Sequence, residues 1–164
     1  MNPRIEQLEE KLLIGHHIKM TLYNNKTGQL WGQFAPRIKE IGNKTSEDKI
    51  SMQIYPPLYY KQFNPNTEFE KWATIEVKDF ENIPNGMKSF ILNKGLYAVF
   101  DYKGSSTDSS IFEYIFSKWL PNSNYEVDDR PHFEVLGSNY KNNDPDSEEE
   151  IWIPIKEKNK ASTL

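Results

Sequence analysis

The strongest constraint on the fold is an order of strand and helix patterns that occurs twice along the chain. Each copy runs strand, helix, strand, strand, and the two copies span residues 5–80 and 88–156. The segments are 12–23, 29–41, 50–55 and 72–80 in the first copy, and 89–102, 109–120, 133–136 and 150–155 in the second. Two such α+β units can place their strands in one curved sheet, or in two facing sheets, with helices on one side. The seam between two like halves is then a natural concave site.

Apolar periodicity predicts the two helices. In the second helix, a stripe at positions i, i+3, i+4 and i+7 consists of Phe112, Ile115, Phe116 and Trp119. In the first helix the apolar spacing over 29–41 is also helical, and Pro36 either limits the start of that helix or kinks it. Both stripes are typical of helix faces that pack on a core.

Composition excludes several classes of protein. The 164 residues suit one domain, which we expect to span 1–157 and to end in a frayed tail at 158–164. Lys and Arg number 20 against 24 Asp and Glu, with no basic block, so direct binding to nucleic acid is not expected. Cysteine is absent, no apolar stretch approaches about 18 residues, and the histidines lack metal-ligand spacing. We therefore expect a cytoplasmic protein without a membrane segment, metal or cofactor.

Glu150 is the charged residue that the strand pattern singles out. It opens the last predicted strand, in which Trp152 alternates with Ile151, Ile153 and Ile155. Alternation puts the isoleucines on one face, suited to a helix-covered core, and places Glu150 beside the indole on the other. A carboxylate buried there would need a cationic partner or would act as an acid or base. The alternative interpretation is that the acidic run ending at Glu150 is a solvated segment before an edge strand.

Aromatic side chains are the second candidate feature. The chain has 4 Trp, 9 Tyr and 9 Phe, and several of them lie in or beside regular elements of both halves. The candidates are Trp31, Phe34, Trp72, Trp119, Tyr125 and Trp152. One interpretation is an aromatic pocket for a flat or cationic organic ligand, and the other is an ordinary core.

Several blocks of sequence, taken together, resemble the GyrI-like small-molecule-binding domains. The second half carries them at 95–104 (GLYAVFDYKG), 115–121 (IFSKWLP), 130–134 (RPHFE) and 150–155 (EIWIPI), and the first half at 30–34 (LWGQF) and 72–77 (WATIEV). The resemblance covers about residues 3–157. It implies a duplicated βαββ fold with a pseudo-twofold axis: an antiparallel curved sheet, two main helices and a cleft between the halves.

The resemblance also implies a function and a set of site residues. Members of the family include effector-binding domains of bacterial multidrug-responsive transcription activators and stand-alone gyrase-inhibitor-like proteins. In the drug-binding members, a glutamate of the last strand neutralises a lipophilic, cationic aromatic ligand, and Glu150 matches that position by motif. Trp152 would face the same cleft, and topology adds Trp72, Trp119 and Tyr125.

Three functions remain open at this stage. The first is a stand-alone protein that binds a small molecule of this kind without catalysis. The second, suggested by relatives that look like hydrolases of cyclopropane-bearing compounds, is hydrolysis with Glu150 as general base and Tyr97 or Tyr125 as the assisting tyrosine. The third is an interaction module for a protein such as gyrase or a transcription factor, as a complex or as a homodimer.

Overall fold

Nine strands and two helical regions make up the part of the chain that this computed structural model describes, residues 2–158. The strands are β1 (Arg4–Leu8), β2 (Lys11–Met20), β3 (Lys44–Ile54), β4 (Phe69–Val77), β5 (Lys88–Leu92), β6 (Gly95–Lys103), β7 (Tyr125–Val127), β8 (His132–Leu136) and β9 (Glu148–Glu157). The first helical region is α1 (Thr27–Phe34) with a 3-10 segment, Ala35–Glu40. The second is α2 (Ser110–Tyr114), a π-helical segment, Ile115–Trp119, and the short α3 (Leu120–Asn122).

The strands form one antiparallel sheet whose order mirrors the two sequence copies. The order is β1-β6-β9-β8-β3-β4-β2-β5, and β7 pairs with β9. The copies meet at the β8–β3 pair, where Ser51 lies opposite Glu134. A local pseudo-twofold axis therefore passes between these two strands. The predicted α+β fold of two βαββ units in a curved antiparallel sheet is confirmed.

The two halves exchange their edge strands. β1 lies at the start of the first copy but pairs with β6 of the second, and β5 lies at the start of the second copy but pairs with β2 of the first. The single interrupted strand predicted over 89–102 is wrong, because β5 and β6 lie near opposite ends of the sheet. Only Asn93 and Lys94 join them. Because so short a link spans about 10 Å, the sheet has to curl until its ends approach each other.

Helices cover the outer face of this half-barrel, as the isoleucine pattern predicted. Ile151, Ile153 and Ile155 pack with the α2 region, while Leu30 and Phe34 of α1 pack over β2 and β4. The α1 stripe changes to a 3-10 segment at Ala35, and Pro36, which has no N–H to donate, stands at its start. Within residues 2–158, no helix is long and apolar enough to cross a membrane.

The inner face carries a second core that the curling of the sheet encloses. Its largest members are aromatic and are at most 8% exposed: Trp72, Tyr97, Phe133 and Trp152. Phe133 stacks on Trp152, with ring centroids 5.1 Å apart. These rings fill the half-barrel, so its interior is core rather than an open cavity.

The predicted tail begins inside the described part of the chain. Lys158 Nζ donates to the carbonyls of Pro121 at 3.1 Å and Ser123 at 2.6 Å, and the Lys158 backbone N–H donates to Asn124. Residues 159–164 of the predicted tail lie outside the described residues.

Candidate functional site

Glu150 lies at the rim of the inner face, where its carboxylate already has a cationic partner. Arg4 Nη2 donates to Glu150 Oε2 at 2.6 Å, and Trp152 Nε1 donates to Oε1 at 3.1 Å. Arg4 Nη1 also donates to both carboxylate oxygens of Asp101 at 3.0 Å. The Glu150 side chain is 36% exposed, so the expectation that it is kept out of water is wrong. It does share a face with Trp152, but β1, which brings Arg4 to it, was not predicted.

The aromatic candidates do not gather around Glu150. Trp72 and Trp152 belong to the inner core, whereas Trp31, Phe34, Trp119 and Tyr125 pack on the outer, helix-covered face. Phe34 is fully buried. Because the sheet separates the two groups, no single cleft can hold all six rings together with Glu150.

Tyr97 and Tyr125, the two candidate catalytic tyrosines, also lie on different faces. Tyr97 is fully buried in the inner core, and its hydroxyl donates to the Pro131 carbonyl at 2.7 Å. Burial raises the pKa of Tyr97 to about 12. Tyr125 of β7 stacks on Trp119 and lines a pocket on the outer face. Of the two, only Tyr125 is placed to meet a ligand.

A charged cluster occupies the outer face at the seam, between the two helix-covered cores. Glu134 of β8 accepts a hydrogen bond from Gln53 Nε2 of β3 at 3.0 Å. Lys71 Nζ of β4 lies 3.9 Å from the same Glu134 oxygen, Oε1. Both charged side chains are largely buried, with 14% of Glu134 and 9% of Lys71 exposed. Glu149 of β9 approaches from the other side. We call these four residues the acidic floor.

Burial changes the protonation equilibria of the acidic floor. It raises the pKa of Glu134, against the opposing effects of Lys71 and Gln53, and it lowers the pKa of Lys71. Burial and the neighbouring Glu134 together raise the pKa of Glu149 to about 7, although Lys71 opposes the rise. Glu149 is therefore a carboxylate that changes charge near neutral pH, and such groups cluster at functional sites.

Four rings cover the acidic floor and form what we call the aromatic cover. Tyr55 directly follows β3, Tyr60 lies in the same loop, Phe116 comes from the π-helical segment, and His132 begins β8. Tyr60 stacks on Phe116 at 4.3 Å and on His132 at 5.3 Å, and Tyr55 meets His132 edge-on at 5.0 Å. Burial lowers the pKa of His132 to about 3, so this ring is neutral at physiological pH. Burial raises the pKa of both tyrosines, and Glu134 adds a smaller effect in the same direction, which places its carboxylate behind them.

An outer pocket of about 480 Å³ opens beside the aromatic cover. It is lined by all four of the covering rings, by residues 56–61, by Leu120 and Pro121, by residues 125–130, and by Lys156 and Lys158. Two of the cations at its rim have acidic partners, since Arg130 Nε donates to Asp128 at 2.7 Å and Lys156 lies 3.7 Å from Glu126. None of the four acidic-floor residues lines this pocket itself, because the aromatic cover lies between the pocket and the Glu134 carboxylate. An aromatic cation that entered the pocket would contact ring walls with the Glu134 carboxylate behind them.

A second groove of about 540 Å³ runs past Glu150. It is open and largely acidic: Asp48, Asp101 and Glu148 line it, and so does Glu149 of the acidic floor. Tyr102 is the aromatic residue in its lining, so the groove offers a lipophilic ligand less aromatic surface than the outer pocket does. Among the described residues, no group of three metal-ligating side chains is close enough to hold an ion.

Sequence reasoning missed the acidic floor for identifiable reasons. In β8, alternation puts His132 and Glu134 on the face opposite Phe133, a signal that was present but not used. Lys71 precedes the predicted start of its strand, and Tyr60 follows the predicted end of another. In β9 the relevant carboxylate is Glu149, one residue before Glu150, and a shift of one residue moves a side chain to the other face.

The fold defines a class: a GyrI-like effector-binding domain, built as a half-barrel from two βαββ units. The chain belongs to the Cass2 family, the integron-associated effector binding proteins, whose family model matches residues 4–155. The resemblance drawn from the sequence is thus confirmed.

Individual relatives agree with this assignment. The chain is 29% identical over 157 residues to the transcriptional regulator BrlR of Pseudomonas aeruginosa, a match over 94% of this chain and 56% of BrlR. The chain thus spans about half the length of this curated relative. The structure of SAV2435 bound to tetraphenylphosphonium has a TM-score of 0.67 and 16% identity, covering 95% of this chain and 94% of that one. The EcmrR C-terminal domain has a TM-score of 0.71 and 10% identity, covering 94% and 97%.

Proposed function

We propose that the protein binds a lipophilic, cationic aromatic effector in the outer pocket, with the positive charge of the ligand directed at the acidic floor. The observation that carries the proposal is the largely buried carboxylate of Glu134 behind an aromatic cover, with the half-buried Glu149 beside it. Burying a carboxylate costs several kcal/mol unless a cation offsets the loss of hydration. Among residues 2–158, Lys71 is the cation within ion-pair distance of either carboxylate, so a cationic ligand would complete the site.

The aromatic cover supplies the remaining affinity. Tyr60, Phe116 and His132 line the pocket, and a cation near an aromatic ring face gains about 0.5–2 kcal/mol. The ligand bound by SAV2435, which shares this fold, belongs to the proposed class. We extend the proposal to several ligands of the class, since ring stacking and charge impose little chemical selectivity.

The proposal is tested by titrating the protein with tetraphenylphosphonium at pH 8 and measuring the dissociation constant by calorimetry. Glu149→Gln should weaken binding by at least about tenfold, because it removes a charge from a poorly solvated site. Glu150→Gln is the matched control: it changes the next residue of the same strand, whose carboxylate Arg4 already neutralises. Binding that is lost in Glu150→Gln and kept in Glu149→Gln would overturn the assignment and return the role to Glu150.

Hydrolysis is the second candidate function, and the pKa of Glu149 favours it. A general base works best when its pKa lies near the working pH, and that of Glu149 is about 7. Tyr125 lines the neighbouring pocket. Turnover of a cyclopropane-bearing electrophile that disappears in Glu149→Gln would support this function. Binding of such a compound without turnover would favour the first.

We further propose that effector binding is passed on to a protein, either a partner or a second copy of this chain, in the cytoplasm. The relation to BrlR, a transcriptional regulator, supports this role. The net charge of −4 gives no reason to expect the domain itself to contact DNA. Sedimentation velocity with and without tetraphenylphosphonium tests whether the ligand changes the association state.

A further inference from the structure

Lys71 is the unusual member of the acidic floor. It projects from β4 onto the outer face, is only 9% exposed, and has Glu134 as its ion-pair partner at 3.9 Å. A lysine is rarely buried to this extent, because its hydration is lost on burial. In a site that takes cations, a buried ammonium also opposes the ligand. Its presence therefore needs an explanation in terms of charge.

The net charge of the acidic floor follows from the protonation states of its residues. Lys71 and Glu134 together contribute none, whether the pair is ionised or the proton has moved from the amine to the carboxylate. Gln53, which binds Glu134, is neutral, and so is His132 of the aromatic cover. This leaves Glu149 as the source of net charge, so the floor carries a single negative charge once Glu149 is ionised.

We propose that Lys71 is a specificity-determining residue, which limits the floor to one negative charge and thereby selects aromatic monocations over dications of the same shape. The inference rests on the proposed function and concerns the same pocket. The second charge of a dication would have to be desolvated in the pocket without a partner, which is costly in a poorly solvated site. Removing Lys71 would release Glu134 to meet that second charge.

Two nearly isosteric probes separate charge from shape. N-methyl-4-phenylpyridinium is a monocation, and N,N′-dimethyl-4,4′-bipyridinium is a dication on the same biaryl skeleton. Their dissociation constants are measured by calorimetry at pH 8, where Glu149 is ionised. The quantity compared between variants is the ratio of the two constants, which cancels changes in pocket shape.

Four proteins form a charge series. Wild type should favour the monocation, and Lys71→Met should shift the ratio toward the dication by about tenfold or more, because one extra unpaired carboxylate faces the ligand. Glu134→Gln should weaken the monocation relative to neutral 4-phenylpyridine. The double variant Lys71→Met/Glu134→Gln, which removes the pair, should return the ratio to that of wild type.

Lys78→Met is the control, since it removes an exposed lysine just beyond the end of β4, the strand that carries Lys71, outside the pocket, and should leave the ratio unchanged. If Lys71→Met does not fold, the test uses Glu134→Gln instead. The affinity of this variant for the monocation is then compared with its affinity for neutral 4-phenylpyridine. Monocation binding with a ratio that is the same in every variant would overturn this inference and leave the proposed function intact. If wild type binds neither the biaryl cations nor tetraphenylphosphonium, the proposed function fails, and this inference fails with it.

Discussion

Replacing Glu149 with glutamine should make the protein more stable at pH 8 and change it little at pH 4.5. The Glu149 carboxylate faces Glu134 on β8, Lys71 on β4 and the Tyr102 ring on β6. Burial and the repulsion from Glu134 raise its pKa from the ordinary 4.5 to about 7. The folded state therefore holds a proton on Glu149 over a range of pH in which the unfolded chain has released it.

The sign of the effect follows from this difference in proton binding. A raised pKa contributes stability that is complete below about pH 4.5 and is lost as the pH rises through about 7. Each pKa unit is worth about 1.4 kcal/mol, so a rise from 4.5 to about 7 has an upper limit of about 3 kcal/mol. Because Glu149 is half-buried, solvent screening reduces the expected gain of Glu149→Gln at pH 8 to about 2 kcal/mol.

Urea unfolding at pH 4.5, 6 and 8 measures the effect. Glutamine resembles the protonated acid, so the two unfolding curves should nearly coincide at pH 4.5 and separate progressively up to pH 8. Glu157→Gln, at the exposed end of the same strand, should show no such separation. A constant difference between wild type and Glu149→Gln at all three values would refute the reasoning, because it would show that Glu149 titrates as in the unfolded chain.

Three further predictions concern the frame around the site. Phe133→Ala, in the inner core, should lower the free energy of unfolding by about 3–5 kcal/mol in urea, whereas Phe63→Ala, which is 56% exposed, should have little effect. Gly95→Ala should lower the free energy of unfolding by about 1–3 kcal/mol in thermal unfolding, because the added Cβ would collide with the Arg130 guanidinium. That guanidinium cannot move away freely, since it donates to the carbonyls of Leu96 and Ile155. Gly42→Ala is the control, because the space around Gly42 is open. Arg4→Met should cost about 1 kcal/mol at low salt, and the loss should shrink in 1 M NaCl; a loss that does not depend on salt would contradict an electrostatic role.

The pattern of elements could be predicted from the sequence because each element buries one face. The isoleucines of β9 and the stripe of the second helix are strongly periodic, and both take the places that the period predicts. β1 and β7 were missed because they are short and polar, and pairing with β6 and β9 holds them in the sheet. The exchange of edge strands could not be read from periodicity, since the partner of a strand depends on the rest of the fold.

Two adjacent glutamates of β9 could have been the acid of the site, and they differ by one position in the strand. Glu149 and Glu150 are adjacent and chemically identical, but alternation turns one toward the helices and the other toward Arg4. The sequence correctly placed Glu150 beside Trp152. It could not show that a cation was already supplied there, because Arg4 is 146 residues away along the chain. A buried acid is thus identified by its neighbours in the sheet rather than by its motif.

The acidic floor also shows how a duplicated fold acquires a one-sided site. The seam pairs Ser51 directly with Glu134, and a pseudo-twofold axis through this pair relates the two positions to each other. Glutamate at both 51 and 134 would place two buried like charges on directly opposite residues of neighbouring strands, which is destabilising. The floor instead has one central carboxylate, Glu134, with the positive Lys71 on the side of the α1 half and the acidic Glu149 on the side of the α2 half. Its charge is therefore distributed asymmetrically. The cationic group of a ligand should therefore lie toward the α2 half, on the side of Glu149.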